Sequence, residues 1–137
     1  MIYITRKIDF CASHRLFNPA FTDEQNQAVF GPCNNPNGHG HNYTLEVTIK
    51  GELNPETGMV LNFRFLKDLI KSEIAEKIDH KNLNLDVSFL AGSIPTVENM
   101  AIKIWGILEE KIDHARLHEI KIYESDRNCV TYRGKSK

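Results

Sequence analysis

Two imidazoles stand two residues apart in Gly38-His39-Gly40-His41, with a thiol, Cys33, six positions before the first. Alternate side chains of a strand share a face, so His39 and His41 can each offer a nitrogen to one cation. A metal site needs at least one more ligand, and the first strand supplies a candidate. Read by parity, Ile2, Ile4, Ile8, Phe10, Ala12, His14 and Leu16 fall on one side, interrupted by Arg6. The same reading from 39 to 49 groups His39, His41, Tyr43, Leu45, Val47 and Ile49. All three histidines therefore lie on core-facing sides of long strands, and they converge if those strands are neighbours. Taken singly, His14 reads more simply as a core histidine bonded to a carbonyl. Taken together, three inward imidazoles must stay neutral or hold a cation, because adjacent imidazolium ions repel. Three His ligands with an open fourth position are the arrangement of a catalytic zinc.

Other residues could carry chemistry beside such a metal. Cys33 sits in Gly31-Pro-Cys-Asn-Asn-Pro36, a loop rather than a strand or helix. A thiol there is either reactive, with a metal and an imidazole nearby to lower its pKa, or an incidental loop cysteine. In Asp79-His80 a carboxylate could orient an imidazole, although such dipeptides are common; Asp113-His114 is the same pair and reads as surface. Glu124 shares parity with Ile120 and Ile122, so it continues the apolar face of its strand and needs a partner there. That partner is an Arg or Lys, or the guanidine-like edge of a ligand gripped by two parallel hydrogen bonds.

The elements that must position these groups follow from the pattern. After the first strand comes a polar loop from about Asn18 to Gly38, and the second strand ends near Gly51. Asn62 is a good N-cap for a helix with Leu66, Leu69, Ile70, Ile74 and Ile78 at helical spacing. Thr96 caps a second helix, whose stripe runs through Val97, Met100, Ala101, Ile104, Trp105 and Leu108. Strands over Leu117–Glu124 and Cys129–Arg133 complete a ββααββ order. The expected fold class is α+β, an antiparallel sheet with both helices on one face. Its open edges make oligomerisation an expectation.

Composition bounds the function. The 137 residues fit one domain, 1–137, with 41% hydrophobic and 26% charged residues. A net charge of −1 argues against a nucleic-acid partner. No apolar run approaches a membrane span, and the first residues show no signal-peptide pattern. Cys11, Cys33 and Cys129 lack C-x-x-C spacing and read as free thiols in a reducing compartment, so a cytoplasmic location is expected.

Phe10-Cys-Ala-Ser-His-Arg-Leu16, Cys33-Asn-Asn-Pro-Asn-Gly-His-Gly-His-Asn-Tyr43, Thr57-Gly-Met-Val60, Asp79-His-Lys-Asn-Leu83, Thr96-Val-Glu-Asn99 and Tyr123-Glu124 together resemble the 6-pyruvoyl-tetrahydropterin synthase family, over essentially the whole chain. The resemblance implies a tunnelling fold (T-fold), in which three subunits join their sheets into a barrel. Two trimers then stack into a homo-hexamer with active sites at subunit interfaces. His14, His39 and His41 match its Zn2+ ligands. Cys33 matches the catalytic thiol, and Asp79 and His80 match proton-relay partners contributed by a neighbouring subunit. Glu124 matches the carboxylate that anchors the pterin, and Thr96 and Glu98 match positions lining its pocket. Asn62 stands where some relatives carry Asp.

The implied reaction is that of a zinc-dependent lyase acting on 7,8-dihydroneopterin triphosphate, a small-molecule substrate, with loss of triphosphate. One branch of the family yields 6-pyruvoyl-tetrahydropterin for tetrahydrobiopterin synthesis. The other, 6-carboxy-tetrahydropterin synthase, releases acetaldehyde on the way to queuosine-type deazapurines. The five residues between Cys33 and His39 resemble the pyruvoyl-forming branch. Arg15, Lys81 and Arg127 are open candidates for the triphosphate. A different class, a zinc-binding module without turnover, would have no need of the thiol, the Asp-His pair or the inward Glu124.

Overall fold

The protein is described from a computed structural model, covering residues 1–136. Two thirteen-residue strands, β1 (Ile2–His14) and β2 (His39–Gly51), pair antiparallel over their full length from Ile2↔Gly51 to His14↔His39. Their alternation is as expected: Phe10, Ala12 and His14 of β1, and Tyr43, Leu45, Val47 and Ile49 of β2, are buried. Because the register ends on His14↔His39, the histidines fall at one end of the pair. The connection between these strands is not a featureless loop. It holds helix α1 (Asp23–Phe30) and a 3₁₀ turn at Gly31–Asn34. Helix α1 has almost no apolar stripe; a Thr22–Gln25 capping box starts it, and buried Asn26 bonds back to Asn18.

Asn62 caps helix α2 (Phe63–Ile70) by accepting from the Arg64 N–H. The helix continues through a π-helical turn at Lys71–Ala75 into α3 (Glu76–Ile78). That wide turn has a physical reason. Leu66, Ile70, Ile74 and Ile78 recur at a strict four-residue interval, and at about 100° per residue the interval drifts ~40° each time. A π turn winds more slowly and brings the four back onto one face, where all are fully buried. Burying each contributes roughly 1.5–3 kcal/mol, more than the ~0.7 kcal/mol spread of helix propensities. Packing therefore decides the distortion.

Beyond α3, the two-residue strand β3 (Lys81–Asn82) runs parallel to β1 at Ala12 and Ser13. The sheet is thus mixed rather than purely antiparallel, in the order β3-β1-β2-β4-β5. Helix α4 (Val97–Glu109) is capped by Thr96, whose hydroxyl accepts from the Asn99 N–H. Val97, Met100, Ala101, Ile104 and Leu108 are buried, as the stripe predicts. Strand β4 (Arg116–Tyr123) pairs with β2, and β5 (Cys129–Tyr132) pairs with β4. A bulge in the β2–β4 pairing lets both Leu117 and Ile120 face the core despite their odd spacing. The α2–α3 helix and α4 share the buried face of the sheet, and the core lies between. No helix among the described residues is long and apolar enough to cross a membrane.

Candidate metal centre and ligand pocket

His14, His39 and His41 meet at the β1–β2 end, each with a ligating nitrogen within 4.8 Å of the others. Their rings lie edge to face, with centroids 4.7–5.3 Å apart. His14 is fully buried, and its Nδ1 lies 2.8 Å from the Pro95 carbonyl oxygen. A carbonyl only accepts, so in neutral His14 the proton sits on Nδ1 and Nε2 presents a lone pair. That Nε2 is 3.1 Å from His39 Nε2. The carbonyl-bonded histidine and the converging histidine are thus the same residue, and the carbonyl supplies the outer contact that orients metal-bound imidazoles.

Burial drives both His14 and His39 below the ordinary histidine pKa, and the neighbouring imidazoles add to it. The Pro95 carbonyl and Glu124 oppose this at His14; Glu124 does so at His39. Neutral imidazoles are what a cation requires. His39 Nδ1 and His41 Nε2 are buried with no hydrogen-bond partner among the described residues. An all-nitrogen donor set with an orphaned His41 Nε2 fits a divalent transition metal. Gly38, at φ +76, makes the corner possible: a Cβ there would stand 3.0 Å from the His14 carbonyl oxygen.

Glu124 completes this corner. Its carboxylate lies 3.9 Å from His41 Nε2, its side chain is 24% exposed, and no Lys or Arg among the described residues pairs with it. Of its two expected partners, the cationic side chain is therefore not found among the described residues. Tyr43, below the histidines, has its phenol pushed up by burial and by Glu124. Thr96, Glu98 and Glu124 line one pocket with Leu16, Asn128 and Val130. Thr96 does double duty there, because its hydroxyl also caps α4.

Cys33 lies partly buried in the 3₁₀ turn, and its carbonyl accepts from the Leu16 N–H at 2.8 Å, tying the turn to the strand that bears His14. Asp79 and His80 do not join it. They sit against Cys11, whose side chain alternates away from that of His14, and His80 lines a hollow there with Cys11, Ser13, Gly40, His41, Asn42 and Asp86. Asp79 Oδ1 stands 3.8 Å from His80 Nε2, beyond a hydrogen bond. Asp113 and His114 are 81% and 83% exposed, as a surface pair should be. Arg15 is committed locally: its guanidinium donates to the Asn34 carbonyl and side chain and lies over the Phe17 ring. The Pro95 carbonyl and Cys11 carry no local signal in sequence, since each meets its partner across 68 or more residues.

The model of the 6-pyruvoyl tetrahydropterin synthase family matches residues 3–135. The human 6-pyruvoyl tetrahydrobiopterin synthase is 47% identical over 131 residues, covering 96% of this chain and 90% of the human protein. A 6-carboxy-5,6,7,8-tetrahydropterin synthase of Rickettsia bellii is 30% identical over 147 positions, covering 94% and 97% of the two chains. The solved structure of Caenorhabditis elegans 6-pyruvoyl tetrahydropterin synthase superposes with a TM-score of 0.92 at 36% identity, covering 98% of this chain and 96% of that one. A histidine corner built by two paired strands, a free carboxylate beside it and likeness along nearly the whole chain have one reading: the protein belongs to the 6-pyruvoyl tetrahydropterin synthase family.

Proposed function

We propose that this protein converts 7,8-dihydroneopterin triphosphate to 6-pyruvoyl-tetrahydropterin with release of triphosphate. The observation that carries the reading is the placement of Glu124, which no Lys or Arg among the described residues pairs with, between the three-histidine corner and a pocket. His14, His39 and His41 would hold a zinc ion, which when bound supplies Lewis acidity to side-chain hydroxyls of the substrate. Glu124 accepts two hydrogen bonds from the amino-pyrimidine edge of the pterin, and Thr96 and Glu98 flank it. Cys33, as thiolate, removes a carbon-bound proton. His80, beside Asp79, returns one at another carbon.

Within one chain Asp79 and His80 pack against Cys11 and not Cys33. This supports a relay assembled between subunits, in a homo-hexamer built as a dimer of trimers. Residues 1–137 act in this reading as a single cytoplasmic domain. The greater identity to the human pyruvoyl-forming enzyme favours that product over the carboxy product of the Rickettsia relative. The test is mass spectrometry of products after incubating zinc-loaded protein with 7,8-dihydroneopterin triphosphate. A pyruvoyl product without acetaldehyde is expected. A carboxy product with acetaldehyde moves the protein to the other branch, and no turnover at all refutes the enzymatic reading.

A further inference from the structure

Three contacts tie the Asp79–His80 segment to a single residue of β1. The His80 N–H donates to the Cys11 carbonyl at 2.7 Å, and the Cys11 N–H donates to Asp79 Oδ1 at 2.9 Å. The third contact is between side chains, with Cys11 Sγ 3.5 Å from His80 Nδ1. Among the described residues, His80 is also the one non-glycine with positive φ, at +62°. Side-chain-bearing residues keep that conformation only where their surroundings hold it. Here it turns the chain out of α3 and into β3, swinging the imidazole back over β1.

We infer that Cys11 is a positioning residue for His80, its thiol donating to Nδ1 and so fixing the neutral imidazole as the Nε2–H tautomer. Asp79 works in the same direction. Its Oδ1 lies 3.8 Å from Nε2, so a proton on Nε2 faces a negative charge, and the Cys11 N–H holds that carboxylate in place. Thiol and carboxylate, each near a different ring nitrogen, thus select one tautomer, with the proton on Nε2. The backbone N–H and C=O of position 11 remain in Cys11→Ser and Cys11→Ala, so those substitutions isolate the thiol.

This inference rests on the reading of His80 as a proton donor, and the experiment separates the two. Nitrogen-15 NMR of histidine-labelled, zinc-loaded protein reads the His80 tautomer, with His80→Gln assigning the resonance. The kcat and KM for 7,8-dihydroneopterin triphosphate are measured alongside. Wild type should show the Nε2–H form, and Cys11→Ser should keep it, since a hydroxyl also donates. Cys11→Ala should give mixed tautomers and lower kcat roughly threefold to tenfold at unchanged KM, the range one neutral hydrogen bond spans. An unchanged His80 tautomer in Cys11→Ala overturns the inference, whatever its effect on rate. If wild type shows the Nε2–H form without turnover, the functional reading fails while the clamp stands.

Discussion

His41 Nε2 and the Glu124 carboxylate face each other across 3.9 Å. The β2–β4 register produces this relationship. Thr44 pairs with Tyr123, so one step beyond the strand end Glu124 comes opposite Tyr43 and diagonal to His41 on the same face. With no cationic side chain against it among the described residues, this carboxylate joins the histidine corner to the pocket under the start of α4. In the proposed reaction this group is the anchor for the pterin.

Glu124→Gln keeps the shape and removes the charge. It should lower kcat/KM roughly tenfold to a hundredfold, the worth of charge-assisted hydrogen bonds, mainly through KM. Metal content, read by elemental analysis, should not change. Full activity in this variant would exclude Glu124 as the pterin anchor.

Cys33→Ala separates metal binding from chemistry. The thiol lies outside the three-histidine group, so the variant should retain its metal and lose turnover. Product formation at the wild-type rate would remove Cys33 from the mechanism. Loss of metal would instead make the thiol a ligand.

Protonation of the histidine corner sets a pH limit on the metal-stripped protein. His14 and His39 have pKa values below the ordinary 6.5, chiefly through burial. The unfolded chain therefore takes up protons first as pH falls below about 6.5. Stability is fully present above that value and drains away as pH drops through the folded pKa values. Urea midpoints between pH 8 and pH 5 should fall accordingly, and His14→Gln should flatten the slope. A pH-independent midpoint would contradict the assigned burial cost.

Gly38→Ala tests the corner's backbone. The residue sits at φ +76, and the alanine methyl would come within 3.0 Å of the His14 carbonyl oxygen. The substitution should cost about 1–3 kcal/mol in chemical denaturation and weaken metal binding by spreading His14 from His39. Unchanged stability would mean that the turn accepts a side chain.

Much of this arrangement is legible in the residues themselves. The alternation of β1 and β2 shows which way each histidine faces, and parity alone turns Glu124 inward. Helix α1 is a different matter. Its polar stretch shows no stripe, yet Thr22-Asp-Glu-Gln25 is a capping box, a signal present in the chain that local hydrophobic periodicity passes over. The π turn likewise follows from the four-residue interval between Leu66 and Ile78, once the drift of that spacing on an α-helix is counted.

By itself the sequence determined which residues share a face and where helices begin, because strand pleat, helical twist and capping act over a few neighbouring residues. The tertiary structure alone decided that β1 and β2 end in register on His14↔His39, and that the Pro95 carbonyl fixes the His14 proton. It also seated Asp79 and His80 on Cys11 rather than on Cys33. Those choices join residues 25 to 81 positions apart, and only the shared core, by fixing the strand order and burying the helices on one face, brings them within bonding distance.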